Sequence, residues 1–318
     1  MTGGGESPLI REATHAGTWY VGTPSVLDRQ LDQFLNGKTK IIDGARILLG
    51  PHAGYSYAGP TLAKAYGVFD PSKVKRVFIM GPSHHVYFSG SVMTSKFDAY
   101  DTPLGKIPVD KETISALMKK DPKMFKQMSF QADEDEHCFE MHMPFLYKVT
   151  ENSPNGVPKI IPIMISDSNE KFERKLAKDL QPYFENKENA FIITSDFCHW
   201  GFRFDYTAYT ADGKVDSLTS DPRVPKGGIP IYQSIEAMDK KGMKVASTGS
   251  YNDFREYLSV TGNTICGAKP LSVLLAIMEK YYQQEADDKF QWNGYAQSSH
   301  VINPMDSSVS YASGYAVI

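Results

Sequence analysis

The stretch Phe191-Ile192-Ile193-Thr194-Ser195-Asp196-Phe197-Cys198-His199-Trp200 joins an apolar run to a segment rich in polar and metal-binding side chains. Its first four residues are apolar or β-branched without alternation, which predicts a strand buried on both faces. Runs of the same kind occur at residues 46–49, 77–80 and 160–165. Segments with helical spacing separate these runs, at residues 112–119, 170–184, 235–241, 254–260 and 271–282. This alternation predicts an α/β fold with a central, largely parallel or mixed sheet flanked by helices.

The size and charge of the chain limit the classes of function. With 318 residues and 41% hydrophobic residues the chain is long enough to bury a core, and we expect a flexible tail at residues 1–8 and a single domain at residues 9–318. The net charge of −3 gives no positive field for a polyanion, so no nucleic-acid partner is expected. The longest apolar run, residues 271–278, is too short to cross a bilayer, which predicts no membrane insertion.

Three loops that follow predicted strands carry histidines. Gly50-Pro51-His52, Gly81-Pro82-Ser83-His84-His85 and Ser195-Asp196-Phe197-Cys198-His199 each come directly after a predicted strand. In open α/β sheets, ligands bind outside the carboxyl ends of the strands. One loop histidine alone is more often a hydrogen-bonding residue than a ligand, but three such loops together predict a metal site that uses neutral imidazole.

The three cysteines, Cys138, Cys198 and Cys266, are odd in number and widely spaced, which predicts free thiols in a reducing cytoplasm. Cys266 precedes a predicted helix, where the helix dipole favours a thiolate that can serve as a ligand or a nucleophile. A small buried hydrophobe is the equal alternative. Cys138 and Cys198 are interpreted as structural.

The segment from residue 136 to residue 142 contains two groups of interest. His137 and Glu140 are three positions apart on a predicted helix. Glu140 is interpreted as an acid in the first turn, favoured by the helix dipole, while His137 could face the metal crevice as a supporting or acid/base group. Trp19 and Tyr57 lie near the same loops in sequence, and are interpreted as core or as an apolar wall for a ligand.

With these residues assembled, the chain closely resembles the Memo family, whose name refers to receptor-driven cell motility. The resemblance covers nearly the whole chain in a series of motifs in the same order. The motifs are residues 11–20, the His52 and His84 loops, and residues 133–137, 195–200, 263–267, 293–299 and 306–312.

The resemblance implies a fold of the class III extradiol dioxygenase type, whose members use a non-haem iron held by two histidines and a carboxylate. The two histidines fall on His52 and His84, and the third ligand falls on Cys266 in place of glutamate. Thiolate is a softer ligand than carboxylate and favours copper, or an iron whose reactivity differs from that in the dioxygenases. The resemblance therefore does not by itself imply ring-cleaving activity. The acid/base histidine falls on His199, with Asp196 and His137 as nearby catalytic candidates.

For the family itself, the resemblance implies an iron- or copper-binding redox protein that acts in signalling, motility and redox control, in the cytoplasm and also in the nucleus. It also implies binding of phosphotyrosine-containing receptor peptides, for which Trp19, His199 and Tyr57 are the candidate contacts. Two rivals stay open: a non-enzymatic phosphotyrosine-peptide adaptor that uses the same crevice, and a cysteine hydrolase with Cys266 as nucleophile and His52 or His199 as base.

Overall fold

A computed structural model describes residues 5–37, 39–282 and 289–318. The strands are β1 (Ile10–Arg11), β2 (Ala45–Gly50), β3 (Arg76–Pro82), β4 (Val92–Thr94), β5 (Ala99–Tyr100), β6 (Ile107–Pro108), β7 (Phe125–Gln127), β8 (Lys159–Ile165), β9 (Asn189–Thr194), β10 (His199–Trp200), β11 (Gln291–Gln297) and β12 (Ser308–Val317). The α-helices are α1 (Pro24–Leu35), α2 (Tyr55–Val68), α3 (Lys111–Lys120), α4 (Phe130–Asp135), α5 (His137–Glu140), α6 (Met143–Thr150), α7 (Glu170–Glu185), α8 (Ile231–Ser247), α9 (Tyr251–Thr261) and α10 (Ala268–Tyr281).

The four predicted strands are confirmed as β2, β3, β8 and β9, and they lie side by side. The larger sheet has the order β10-β12-β2-β9-β3-β8-β4-β7, with β11 paired to β12. The pairs β2–β9, β9–β3 and β3–β8 are parallel, and every residue of β2 and β9 is buried. Continuous apolar runs therefore occupy the buried centre of the sheet, as the absence of alternation predicted.

The outer strands make the sheet mixed. β12 pairs antiparallel with β2, β10 and β11, and β4 pairs antiparallel with β8. A second, small sheet pairs β1 with β5 and β5 with β6, which fixes the N-terminal segment to the middle of the chain. The prediction of an α/β fold with a mixed sheet flanked by helices is confirmed.

The five predicted helices are found, with α8 extending well beyond the predicted residues 235–241. α2 packs against β2 and β12, and α10 packs against α7, β3 and β9. Of the predicted N-terminal tail, residues 5–8 are exposed and outside any helix or strand, and residues 1–4 lie outside the described residues. In the described part of the chain, every helix is too short or too polar to span a membrane.

Candidate metal centre

The strand order brings three of the polar loops together. β2, β9 and β3 are parallel neighbours, so their carboxyl ends open at one edge of the sheet. The loops that follow them carry His52, Asp196 and His84. The ring centroids of His52 and His84 are 5.2 Å apart, and Oδ2 of Asp196 is 3.8 Å from Nε2 of His52. The predicted convergence of these loops is confirmed.

The hydrogen bonds of the buried His52 define which ring nitrogen is free. Nδ1 lies 2.7 Å from Oγ1 of Thr194, and that hydroxyl donates its proton to the carbonyl oxygen of Cys138. A hydroxyl has one proton to donate, so it accepts from Nδ1, and Nε2 keeps the lone pair through which imidazole binds a metal. Burial, and after it the neighbouring histidines, lower the pKa of His52, which keeps the ring neutral.

His84 is oriented by Glu136, a residue that no local sequence pattern marks as part of the site. Nδ1 of His84 is 2.8 Å from Oε2 of Glu136, and the backbone N–H of His84 donates to Oε1 over 2.7 Å. Burial would raise the pKa of Glu136, but the hydrogen bonds and charge of His84 outweigh it and lower that pKa to about 2. An ionised carboxylate only accepts, so Nδ1 of His84 carries the proton and Nε2 is free. Such carboxylate–histidine pairs orient the ligands of many metal sites.

His137, at the start of α5, completes a group of three histidines. The ligand nitrogens of His52, His84 and His137 lie within 4.8 Å of one another. The ring of His137 lies 4.4 Å from the rings of both His84 and Trp19, centroid to centroid. Burial and the neighbouring His84 lower the pKa of His137 to about 3. Its position at the crevice, one of the alternatives left by the sequence, is confirmed.

Cys266 reaches the cluster from the loop between α9 and α10. Its Sγ is 3.3 Å from Nε2 of His52 and accepts the backbone N–H of Asp196 over 3.3 Å. Burial and the charge of Asp196 raise the pKa of the thiol, so it stays protonated without a cation nearby. Among the described residues, the ligand atoms found within 4.8 Å of one another include those of His52, His84 and His137 but not Sγ of Cys266.

A glycine permits this approach of the Cys266 loop to the sheet. A Cβ on Gly267 would lie 2.4 Å from Cβ of Ser195 and 2.9 Å from the carbonyl oxygen of Thr194. Real Cβ atoms essentially never make non-bonded contacts this short, so only glycine fits here without displacement. The backbone N–H of Gly267 also donates to Oγ of Ser195 over 2.8 Å. The loop is thus docked directly on the end of β9.

Asp196 lies beside the ligand cluster, and His199 is close enough to affect the pKa of both His52 and Asp196. Oδ1 of Asp196 accepts the backbone N–H of His52 over 2.9 Å, and burial raises the pKa of this carboxyl. Nδ1 of His199 is 2.9 Å from the carbonyl oxygens of Phe197 and Thr264. Since carbonyls only accept, Nδ1 is the donor and Nε2 of His199 carries the lone pair.

Glu140 is an acid in the first turn of α5, as interpreted, but it also binds side chains from a distant part of the chain. α5 is a single turn that ends at Glu140, and this carboxylate is buried. It accepts from Nη1 of Arg11 over 2.7 Å and from the hydroxyl of Tyr20 over 2.9 Å, and it pairs with Nδ1 of His15 at 2.7 Å. Arg11 also pairs with the buried Asp133. A single sequence does not reveal this cluster, because its partners are more than a hundred residues apart in the chain.

Of the remaining candidate residues, Trp19 lines a pocket beside the cluster, whereas Tyr57, Cys138 and Cys198 are not among its described lining residues. An open pocket beside the cluster is lined by Thr14, His15, Trp19, His84, His85, Gln131, Glu134, Asp135 and His137. Trp19 is 38% exposed there, while Tyr57, 62% exposed in the first turn of α2, is not among the described residues that line this pocket. Cys138 and Cys198 are fully buried, in keeping with a structural role.

Comparison with known proteins places the chain in one family. The family described as "Memo-like protein" matches residues 11–315. The chain is 42% identical to "MEMO1 family protein MHO1" of Saccharomyces cerevisiae, with 97% of this chain and 99% of the relative covered. It is 40% identical to "Protein MEMO1" of Danio rerio, covering 98% of each, and 39% identical to "Protein MEMO1" of Homo sapiens, covering 96% and 97%. The protein therefore belongs to the Memo-like family.

Proposed function

We propose that the chain is an iron- or copper-binding redox protein in which His52, His84 and Cys266 hold the metal. The observation that carries this proposal is the shared geometry of two histidines. Nδ1 of His52 and Nδ1 of His84 are each hydrogen-bonded to a fixed acceptor, Thr194 and Glu136 respectively. Each ring keeps a lone pair at Nε2, and one ring nitrogen of each residue belongs to the same group of ligand atoms. This arrangement is typical of metal-binding histidines.

The chemistry of the donor set fits iron or copper. Imidazole nitrogen suits copper, iron and zinc, and thiolate adds a preference for softer ions such as Cu(I). A cation beside Sγ of Cys266 would replace the thiol proton that burial otherwise retains. When bound, iron or copper supplies one-electron and oxygen chemistry. Zinc, which has no redox chemistry, is the outcome of metal analysis that would remove the redox part of the proposal.

Three residues near the proposed ligands would orient a ligand or transfer a proton: Asp196, His199 and His137. Asp196 fixes the backbone of His52 through the hydrogen bond to its N–H. His199 presents a lone pair at Nε2, because Nδ1 is engaged with two carbonyls, and so can accept a proton from a substrate. His137 lies among the histidine ligand atoms and is the alternative proton carrier. The cellular role in signalling, motility and redox control is part of the proposal on the strength of the resemblance alone.

The non-enzymatic phosphotyrosine adaptor is the second candidate, and the exposed ring of Trp19 beside His137 favours it. The pocket chemistry argues against it. Among the described residues that line the pocket, Glu134 and Asp135 are acidic and none is Lys or Arg, whereas phosphate recognition normally uses Arg or Lys. The cysteine hydrolase has less support, because burial and Asp196 raise the pKa of the Cys266 thiol and so disfavour a free thiolate nucleophile.

The test is element analysis of protein purified anaerobically from its native host without a metal-binding tag. We expect iron or copper in amounts equimolar with the parent chain, loss of that metal in His52→Ala and His84→Ala, and retention in His199→Ala with impaired redox activity. His300→Ala is the matched control, since His300 is exposed, stacks on Tyr232 and is not among the described residues of the cluster or of the pocket lining. Circular dichroism would confirm folding. A metal-free parent, or unchanged metal in folded His52→Ala and His84→Ala, would contradict the proposal.

A further inference from the structure

The pocket beside the metal cluster contains a histidine–carboxylate pair to which the proposed function gives no role. Nδ1 of His15 lies 2.7 Å from Oε2 of Glu140, and the backbone N–H of His15 donates to Oε1 of the same carboxylate over 2.9 Å. The side chain of His15 is 15% exposed and lines the pocket together with Trp19, His84 and His137. Its ring is thus fixed at one nitrogen and open to the pocket.

The hydrogen bonds that Glu140 accepts keep its carboxylate ionised and fix its position. Its side chain is only 1% exposed and accepts from Arg11 and Tyr20 as well as from His15. Burial would raise the pKa of Glu140, but the hydrogen bonds from His15 and Arg11, with the charge of Arg11, outweigh it and lower that pKa to about 2. Because an ionised carboxylate only accepts, Nδ1 of His15 is the protonated nitrogen, and in the neutral ring Nε2 is an acceptor.

Anchoring of the N-terminal segment does not explain the orientation of this ring. The backbone N–H of His15 already bonds Glu140, Arg11 bonds Asp133 and Glu140, and β1 pairs with β5. These contacts fix the segment without an imidazole. Besides helping to keep Glu140 ionised, the bond at Nδ1 sets the direction in which the ring presents Nε2.

Two other polar residues of the pocket are acidic. Glu134 and Asp135 are among its described lining residues, and Oδ1 of Asp135 accepts one of the two amide N–H groups of Gln131 over 2.7 Å. The described lining has no Lys or Arg to balance these charges. Trp19 provides an exposed apolar face next to His15, their ring centroids 5.6 Å apart. An acidic lining beside an aromatic face favours neutral or positively charged hydrogen-bond donors and disfavours anions.

We propose that His15 is a ligand-binding residue whose Nε2 accepts a hydrogen bond from a small molecule that has an apolar body and an ammonium or hydroxyl donor. The apolar body packs on Trp19, and Glu134 and Asp135 favour a neutral or positive charge. This proposal rests on the proposed function, since the ligand would occupy the pocket that opens on the same metal cluster. It makes His15, Glu134 and Asp135 determinants of specificity.

The test compares two probes of similar size and opposite charge, benzylamine and phenyl phosphate, by NMR titration of the folded full chain, with and without metal. We expect the parent to bind benzylamine at least about tenfold more tightly than phenyl phosphate. Loss of one hydrogen bond is worth up to about tenfold in affinity, so His15→Ala should weaken benzylamine binding by roughly three- to tenfold. His300→Ala should change neither probe. Long-range 15N NMR of the parent should show the His15 ring protonated at Nδ1.

Tighter binding of phenyl phosphate would overturn the proposal in favour of an anion site, and unchanged benzylamine binding in His15→Ala would overturn the role of His15. Glu140→Gln gives a further check, because it should remove the Nδ1 preference of His15 if that variant folds. Element analysis of the same samples separates the two proposals. A metal-free parent that still prefers benzylamine through His15 would refute only the metal proposal, and a metal-loaded parent without that preference would refute only this one.

Discussion

The histidine side and the cysteine side of the candidate metal centre are held in different ways. His52 and His84 follow β2 and β3, which flank β9 in a continuous parallel ladder, and each has its Nδ1 bonded to one buried partner. Cys266 lies on a loop that contacts the end of the sheet through the hydrogen bond between Gly267 and Ser195. The same loop is also held by a hydrogen bond of 2.9 Å from the side chain of Asn263 to the buried Asp239. The sheet therefore sets the histidine positions, whereas loop docking alone sets the position of the sulfur.

This difference predicts that the cysteine side can be detached while the histidine side stays intact. In Gly267→Ala, the new Cβ would overlap Ser195 and the carbonyl oxygen of Thr194, so the loop must move and take Sγ of Cys266 with it. Overpacking of this kind costs about 1–3 kcal/mol of unfolding free energy. We expect Cu(I) affinity to fall by about 100-fold, the upper end of the effects seen when ligand support is lost.

Competitive Cu(I) titration and thermal unfolding would measure these two effects. Gly5→Ala is the matched control, because Gly5 is exposed and a Cβ there would have no neighbour within 4 Å. Wild-type Cu(I) affinity in a folded Gly267→Ala protein would show that the loop position does not determine metal binding.

On the histidine side, the corresponding change is Glu136→Gln, which removes the carboxylate that orients His84. We expect a loss of about tenfold in metal affinity, within the range known for such supporting groups. The depressed pKa of Glu136, about 2 against an ordinary 4.5, makes its contribution to stability fully present above pH 4.5 and lost as the pH falls toward 2. The stability difference between parent and Glu136→Gln should therefore shrink over that range.

Metal affinity by competitive titration and chemical unfolding between pH 2 and pH 7 would check both expectations. A stability difference that does not vary with pH would show that the Glu136 charge contributes nothing to folding. Unchanged metal affinity in Glu136→Gln would show that metal binding does not depend on the orientation of His84 by Glu136.

The smallest expected effect concerns His142, a buried histidine behind the His52 loop. Its Nδ1 bonds the hydroxyl of Tyr66 at 2.8 Å, and burial lowers its pKa to about 3 from 6.5. Below pH 6.5, His142 is protonated in the unfolded chain but stays neutral in the folded protein. The free energy of unfolding therefore falls as the pH drops toward 3. His142→Asn should flatten this slope by up to about 1.4 kcal/mol per pH unit, with metal affinity unchanged. An unaltered slope in chemical unfolding at pH 3–7 would contradict the assignment.

The comparison of the two sides also explains what could be predicted from the sequence. Residues 191–194 and their counterparts are apolar runs whose periodicity indicates buried strands, and strand ends locate His52, His84 and Asp196. β12 was missed because its Ser, Ala and Gly residues lack the β-branched signal. α2 was missed because Gly59 and Pro60 interrupt its helical pattern.

The supporting contacts were also beyond prediction from a single sequence. Glu136 is 52 residues from His84, and Glu140 is 129 residues from Arg11. No local pattern marks such partners, since their pairing depends on the tertiary fold. The acidic run at residues 133–136 offered a signal, because two of its members, Asp133 and Glu136, are buried and paired.

The central claim, that His52, His84 and Cys266 share one metal, is tested most directly by X-ray absorption spectroscopy of the protein loaded anaerobically with equimolar Cu(I). The account predicts nitrogen scatterers together with one sulfur at about 2.3 Å in the parent, a distance typical of metal–thiolate bonds. That sulfur should disappear in Cys266→Ser and persist in Cys138→Ser, the control for the buried thiol near His84 and Glu136. A parent spectrum without sulfur, or a sulfur retained in Cys266→Ser, would contradict the account.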